Sequence, residues 1–141
     1  MKQLIMFFAV LFVCGFSAIA TADEEKPMLE KVFQATIDKD GVQQAEVIGG
    51  SYFFTPSRIV VKVNVPVELK VSKVSGIIPH SFVMKVPEAG IDIKLSLAEE
   101  PQVVRFTPTK TGLYPYYCDK KLLFFESHRE KGMEGILEVT E

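Results

Sequence analysis

The sequence predicts an all-β fold, an antiparallel β-sandwich or open barrel of seven or eight short strands. Apolar residues alternate with polar ones along much of the chain, which is the side-chain period of a half-buried strand. Glycine and proline interrupt these runs at regular spacing, with 9 glycines and 8 prolines in 141 residues. There is no long helical period, and this combination is typical of a two-layered β domain.

The first strands are predicted between residues 31 and 48. Apolar residues alternate up to Ile37, residues 38–41 supply the turn sequence Asp-Lys-Asp-Gly, and an extended pattern then resumes. A helix over Leu29, Phe33 and Ile37 also fits the spacing. The Asp-Gly turn favours a β-hairpin over that helix.

Later strands are predicted wherever apolar residues recur at every second position. These runs occupy residues 59–63, 67–71, 91–97 and 104–106, and Leu137 and Val139 form the last one. Two further strands contain unusual side chains. His80 shares a strand face with Phe82 and Met84, so we expect it at the rim of the core. Cys118 shares a face with Tyr114 and Tyr116 in the same way.

The first 22 residues have the pattern of an export signal. Lys2 supplies the positive end, an apolar run covers residues 4–16, and Ala-Thr-Ala at residues 20–22 is a small-residue cleavage site. We therefore expect an exported, periplasmic protein whose residues 23–141 form a single domain, with residues 23–30 loosely ordered. The rest of the sequence has no second apolar span of roughly 20 residues, so we expect no integral membrane segment after cleavage.

Charge and cysteine content narrow the function further. Without Lys2 the chain has 15 basic and 18 acidic residues, a net charge of −3, and no basic patch indicates nucleic acid or anionic lipid. Cleavage also removes Cys14 and leaves Cys118 as a single thiol. In an oxidising compartment such a thiol is buried and inert, reactive, paired with another molecule, or bound to a metal.

One stretch near the carboxyl end favours the metal. Cys118, His128 and Met133 lie within sixteen residues of one another, and His80 is the only other histidine in the sequence. Thiolate and thioether sulfur favour copper, and imidazole binds it in both oxidation states. Two histidines, one cysteine and a weak, distant methionine are the ligands of electron-transfer copper centres.

Several motifs around these residues occur in a characteristic order. They are Phe-Thr-Pro at residues 54–56 followed by Ile-Val-Val at 59–61, Pro-His-Ser at 79–81, Phe-Thr-Pro at 106–108 ahead of Gly112, Tyr114, Tyr117 and Cys118, and His128 followed by Gly132 and Met133. In this order they resemble the cupredoxins, the small copper proteins that include plastocyanin, pseudoazurin and the copper domain of cytochrome oxidase subunit two. The resemblance covers about residues 42–140.

The resemblance implies a Greek-key β-sandwich that binds one copper ion per chain through His80, Cys118, His128 and Met133. The chain departs from the family in the gap between Cys118 and His128, where nine residues intervene instead of the usual two to four. The oxidase domain fills its gap with a second cysteine, which is missing here, so the resemblance excludes a two-copper centre within one chain.

The sequence does not decide the conformation of the nine-residue insert, residues 119–127. As a continuous helix it would separate the Cα atoms of Cys118 and His128 by about 15 Å, too far for both to bind one ion. If both bind, the insert must fold back. Its apolar residues 122–125 then form either a lid over the site or an exposed patch beside it. Glu126 or Asp119 is a further candidate ligand through its carboxylate oxygens.

The predicted function is one-electron transfer to an unidentified redox partner, without conversion of a substrate. A copper carrier or store with an open site is the first alternative. A metal-free or zinc-bound interaction module is the second, and a cysteine hydrolase using Cys118 is the third. Met133 and Met84 also have an ordinary interpretation, because buried methionines often fill gaps in a core.

Overall fold

The computed structural model describes residues 31–141, so the predicted export signal and residues 23–30 lie outside the described part of the chain. In residues 31–141 the chain forms eleven short strands and one single-turn 3-10 helix. The strands are β1 (Val32–Gln34), β2 (Thr36–Ile37), β3 (Gln43–Gly50), β4 (Phe53–Thr55), β5 (Arg58–Lys62), β6 (Val67–Lys73), β7 (Ser81–Val86), β8 (Ile91–Ser96), β9 (Gln102–Phe106), β10 (Gly112–Tyr117) and β11 (Glu134–Thr140), and the helix is Pro87–Ala89.

The strands form two sheets. The first sheet has the order β1-β5-β11-β10-β7-β8, and the second has the order β2-β3-β6-β9 with β4 added beside β3. Side chains that alternate inward along both sheets make one hydrophobic core. The predicted all-β, two-layered architecture is confirmed. Within residues 31–141 no helix is both long and apolar enough to span a bilayer.

Both sheets contain parallel as well as antiparallel pairs, whereas the sequence predicted an antiparallel sandwich. β1 and β11 run parallel to β5, and β3 runs parallel to β6. The chain reaches β6 from β3 after crossing to β5 in the other sheet, which allows two strands of one sheet to run in the same direction. Alternation of apolar residues reports which face is buried and contains no information on strand direction.

The predicted hairpin is present as β2 and β3. Thr36 pairs with Gln44, and the Asp38 carboxylate accepts hydrogen bonds from the backbone N–H groups of Asp40 and Val42 at 2.9 Å each. The bond from Val42 is the largest of the effects that lower the pKa of Asp38. The strand before this turn is divided, because β1 pairs with β5 of the opposite sheet. Such short segments raise the strand number above seven or eight.

Three aromatic rings fill the core below the end of the molecule that contains Cys118. The ring centroids of Phe54, Phe82 and Tyr116 lie 5.2 to 5.8 Å from one another. Tyr116 also donates a hydrogen bond from its hydroxyl to the Pro56 carbonyl at 2.7 Å. Gly135 pairs with Tyr116 across β10 and β11, and a Cβ at Gly135 would lie only 2.4 Å from the tyrosine ring. The absence of a side chain at Gly135 therefore allows the ring to lie flat against β11.

Candidate metal centre

Three neighbouring strand ends place the predicted ligands at one edge of the first sheet. β10 lies between β7 and β11, and Tyr117 at its end pairs with Val83 on one side and Glu134 on the other. Both neighbours are antiparallel to β10, so they begin where it ends. His80 directly precedes β7, Cys118 directly follows β10 and Met133 directly precedes β11. Residues far apart in the sequence thus meet at one edge.

The donor atoms of His80, Cys118 and His128 form a compact, buried cluster. The two imidazole Nδ1 atoms are 3.1 Å apart, and Cys118 Sγ is 3.5 Å from His128 Nδ1. One donor atom from each residue lies within 4.8 Å of the other two, and no residue is more than 5% exposed. Two Nδ1 atoms at this distance can share a proton or face the same ion. The structure therefore brings together three of the four predicted ligands.

Met133 is tied to the cluster through its backbone. Its N–H donates to the His128 carbonyl at 2.9 Å, and its carbonyl accepts from the Cys118 N–H at 3.0 Å. The side chain is fully buried, and its terminal methyl lies 3.1 Å from the position of a Cβ at Gly49. Ligation by the Met133 sulfur stays a prediction. Met84 lies in the core of the sandwich, as the alternation predicted.

The insert between Cys118 and His128 folds back on itself, as ligation by both residues requires. Lys121 and Ser127 form an antiparallel bridge, and the His128 N–H donates to the Lys120 carbonyl at 2.9 Å. These contacts return the chain to the sheet edge after the insert. The extra length therefore leaves His128 beside Cys118 instead of moving it away.

The apolar residues of the insert form an exposed turn, not a lid. The Phe125 N–H donates to the Leu122 carbonyl at 3.0 Å, which closes the turn, and Leu123 has a positive φ of 49°. A left-handed conformation costs about 1–2 kcal/mol for a residue with a Cβ. The exposed fractions are 64% for Leu122, 72% for Leu123, 89% for Phe124 and 57% for Phe125. Of the two predicted arrangements, the structure has the exposed patch.

Asp119 and Glu126 lie outside the cluster, so the structure does not support either as an additional ligand. The Asp119 carboxylate contacts Lys94 Nζ at 2.6 Å and accepts a hydrogen bond from the Ser81 hydroxyl at 2.6 Å. The bond from Lys94 is the largest of the effects that hold the pKa of Asp119 below its usual value. Glu126 is exposed and does not belong to the group of converging donor atoms.

Ser81 is a site residue that the sequence analysis did not identify. Its backbone N–H donates to Cys118 Sγ at 3.3 Å, and its hydroxyl oxygen lies 3.5 Å from the same sulfur. The hydroxyl has one proton, which goes to Asp119 in the shorter contact, so the N–H is the main donor to sulfur. Ser81 directly follows His80 and Asp119 directly follows Cys118. Adjacency to a ligand was the signal available in the sequence.

Both imidazoles are held in a form that suits metal binding. Burial is the main effect that lowers the pKa of His80, followed by the positive charge of His128 and of Lys73. Burial also lowers the pKa of His128, with a smaller effect of Lys131. The His128 ring lies edge-on to Tyr52, with 5.1 Å between ring centroids. Neutral imidazole is the metal-binding form, so protons compete weakly for these nitrogens near neutral pH.

The chemistry of this donor set fits copper. A thiol and two imidazoles, with a thioether next to them, combine the soft and borderline donors that copper prefers, whereas hard cations such as Mg²⁺ require oxygen. His80, Cys118 and His128 are each at most 5% exposed, which limits their contact with water. His80, Cys118 and His128 could thus hold one copper ion, with Met133 as a fourth, weaker ligand.

Sequence comparison alone does not place the chain. No family model matches it, and no curated protein matches it either. Comparison with solved structures does find similar proteins. The metal-binding domain of the Streptococcus pneumoniae Cu(I)-exporting P-type ATPase CopA, solved with Cu(I), has a TM-score of 0.61 and 17% identity, covering 80% of this chain and 99% of that domain.

Two further structures agree with this result. A copper binding protein in its apo form has a TM-score of 0.54 and 24% identity, covering 76% of this chain and 95% of that one. Auracyanin A, a "blue" copper protein from Chloroflexus aurantiacus, has a TM-score of 0.51 and 19% identity, covering 71% of this chain and all of that one. At these identities the likeness establishes the fold, and the chain has the cupredoxin fold.

Proposed function

We propose that the protein binds one copper ion per chain and transfers single electrons outside the cytoplasm. The observation behind this proposal is the buried convergence of His80, Cys118 and His128, whose donor atoms lie within 4.8 Å of one another. The solved copper proteins with the same fold support copper as the metal. The export pattern of residues 1–22 supports the location.

The residues of this site suit a redox role because strand ends hold His80, Cys118 and Met133, and backbone hydrogen bonds to Lys120 and Met133 hold His128. Cys118 supplies a thiolate, His80 and His128 supply imidazole nitrogens, and Met133 supplies a weak thioether. Copper bound there would alternate between Cu(II) and Cu(I), gaining and losing one electron. Backbone hydrogen bonds fix Cys118 to Met133 and Met133 to His128, so the donors move little between the two states. The Ser81 N–H bond to sulfur adjusts the electron density of the thiolate.

A substrate-converting role has less support. Cys118 is fully buried, and its nearest polar neighbours are an imidazole and the Ser81 N–H. A cysteine nucleophile needs access for a substrate and donors for the oxyanion that forms. We therefore propose a carrier of electrons whose partner is a second redox protein.

A copper carrier is the second candidate, and one observation favours it. A cavity of about 270 Å³ lies beside the cluster and includes His128 in its lining. An opening next to a ligand would let a copper acceptor approach the ion. The metal-binding domain of the Cu(I)-exporting ATPase CopA has the same fold.

Copper loading of the reduced apoprotein tests the metal assignment. We expect one equivalent of Cu(II) to bind and give an intense visible sulfur-to-copper band. Cys118→Ser should lose this band, whereas Ser75→Ala, a change at an exposed serine, should retain it. An equally intense band in Cys118→Ser would show that the assignment of the sulfur ligand is wrong.

Rates then separate electron transfer from copper delivery. The proposed electron carrier should exchange electrons rapidly between its oxidised and reduced forms and lose Cu(I) slowly to a chelator. Rapid loss of Cu(I) to a chelator with slow self-exchange would favour the carrier. Failure to bind copper at all would favour a metal-free or zinc-bound module.

A further inference from the structure

We propose that the exposed insert docks the protein on an anionic lipid surface. The docking surface consists of the apolar turn of residues 122–125 together with the cavity beside it. This inference does not depend on copper, because every contact in it comes from side chains outside the metal cluster, apart from the edge of His128 that lines the cavity.

The apolar part of this surface comes from two separate loops. The turn of residues 122–125 projects four consecutive apolar side chains, each more than half exposed. Ile77, which is 100% exposed, and Ile78 lie on the loop before His80 and line the same cavity as Leu122 and Phe125. Projecting leucine and aromatic side chains are the groups that enter the boundary between lipid headgroups and acyl chains.

The charged part of the surface matches an anionic headgroup. Lys120, Lys121 and Lys131 line the cavity with a single carboxylate, Glu126, which gives a local excess of two positive charges. Of the other carboxylates in this region, Asp119 contacts Lys94, whereas Glu130 accepts from the Ser127 N–H and interacts with the charge of Lys121, which reduces the local excess to one positive charge. The net charge of the whole chain does not indicate such a partner. The fold nevertheless places Lys120, Lys121 and Lys131 around a single cavity.

The backbone of the turn supports a role in contact. Leu123 adopts a positive φ of 49°, a conformation that glycine or asparagine would take with less strain. At 72% exposure, the Leu123 side chain buries little apolar surface in the folded chain. A partner surface that covers the turn would explain why this strained apolar segment is exposed. Exposed apolar side chains with lysines next to them fit an anionic lipid interface. His128 would then lie next to that interface.

Vesicle co-sedimentation of residues 23–141, the chain expected after removal of the apolar export signal, tests this inference. We expect binding to vesicles of one part phosphatidylglycerol to two parts phosphatidylcholine, and much weaker binding to phosphatidylcholine alone or at high salt. Phe124→Asp should weaken binding by about tenfold or more, since the variant has no aromatic side chain to transfer from water into the membrane interface. Lys121→Gln should weaken it by about fivefold, and only with anionic vesicles.

Matched controls lie at the other end of the sandwich. Leu113 is 60% exposed at the start of β10, five residues from Cys118, and Lys110 is exposed nearby. Leu113→Asp and Lys110→Gln should bind vesicles like the parent chain. Far-ultraviolet circular dichroism should be the same for all four variants, because each change is at an exposed residue.

Several results would overturn the proposal. Equal binding by the parent chain and Phe124→Asp would place the contact elsewhere, including in residues 23–30, which all variants share. Absence of binding to anionic vesicles at low salt would exclude a lipid surface. Full competition by inorganic phosphate would indicate a site for free anions instead of a lipid interface.

Discussion

The end of the molecule that contains Cys118 combines two regions with opposite surroundings. The donor atoms of His80, Cys118 and His128 are buried among strand ends, and none of these residues is more than 5% exposed. The turn of residues 122–125, inserted between two of those ligands, is at least 57% exposed at every position. The contrast teaches that the sheet fixes the donor set, whereas the insert changes the surface around it without changing which donors meet.

The largest predicted difference between the two regions is in stability. Phe82 is fully buried against Tyr116, and Phe82→Ala should lower the free energy of unfolding by about 3–5 kcal/mol. Phe124→Ala, the same change at 89% exposure, should alter it by less than about 0.5 kcal/mol. Urea unfolding of the two apoproteins measures both values. Similar losses in both variants would mean that the insert packs into the core.

The next prediction concerns pH. The pKa of His80 and of His128 is lowered in the folded protein, mainly by burial. As pH falls below the ordinary imidazole value of about 6.5, the unfolded chain takes up these protons before the folded one does. The stability of the apoprotein is therefore complete above that pH and should decline as the pH falls below it.

Copper should make this dependence steeper and extend it to lower pH, because the folded protein with copper on both imidazoles takes up no proton at those nitrogens, whereas the unfolded chain still does. Urea unfolding midpoints between neutral and mildly acidic pH, with and without one equivalent of copper, provide the measurement. An apoprotein that gains stability as the pH falls through this range would contradict the lowered pKa of both histidines.

A smaller effect is expected at the two buried methionines. Met133→Leu should leave copper bound and raise the reduction potential, because Cu(II) is destabilised more than Cu(I) when a fourth donor is replaced by an apolar side chain. Met84→Leu is the matched control, since Met84 is equally buried but packs within the core. Its potential should stay near that of the parent protein. Voltammetry of both variants measures this, and equal shifts would reject Met133 as a ligand.

The smallest effect is expected for the ion pair beside the site. Asp119→Asn should lower stability slightly at neutral pH, because Lys94 and Ser81 hold the pKa of the Asp119 carboxyl below its usual range. The loss should disappear in acid, where the parent carboxyl is protonated as well. Asp92→Asn, at a more exposed pair with Lys85, is the control and should have less effect. A loss that grows as the pH falls would contradict this role of Asp119.

The sequence contained most of the information about the buried region and little about the insert. Alternation along β5, β6 and β8 reports which side chains are buried, so it predicted both the sandwich and the placement of His80 and Cys118. It could not report strand direction, which depends on crossovers between sheets. The parallel pairing of β5 with β11 was missed for that reason.

The role of Asp119 and the exposure of residues 122–125 depend on contacts between distant parts of the chain. Lys94 lies on β8, and its distance to Asp119 is set by the sheet rather than by any local motif. The apolar composition of the turn was equally compatible with a lid. Folding of the insert on itself, through the bridge between Lys121 and Ser127, decides in favour of exposure.

The central claim is that Cys118 and both histidines hold one copper ion, and X-ray absorption at the copper edge tests it most directly. The loaded protein should show one sulfur and two imidazole nitrogens as close ligands, and Cys118→Ser should lose the sulfur. A first shell of oxygen and nitrogen alone in the parent protein, unchanged in Cys118→Ser, would contradict the claim.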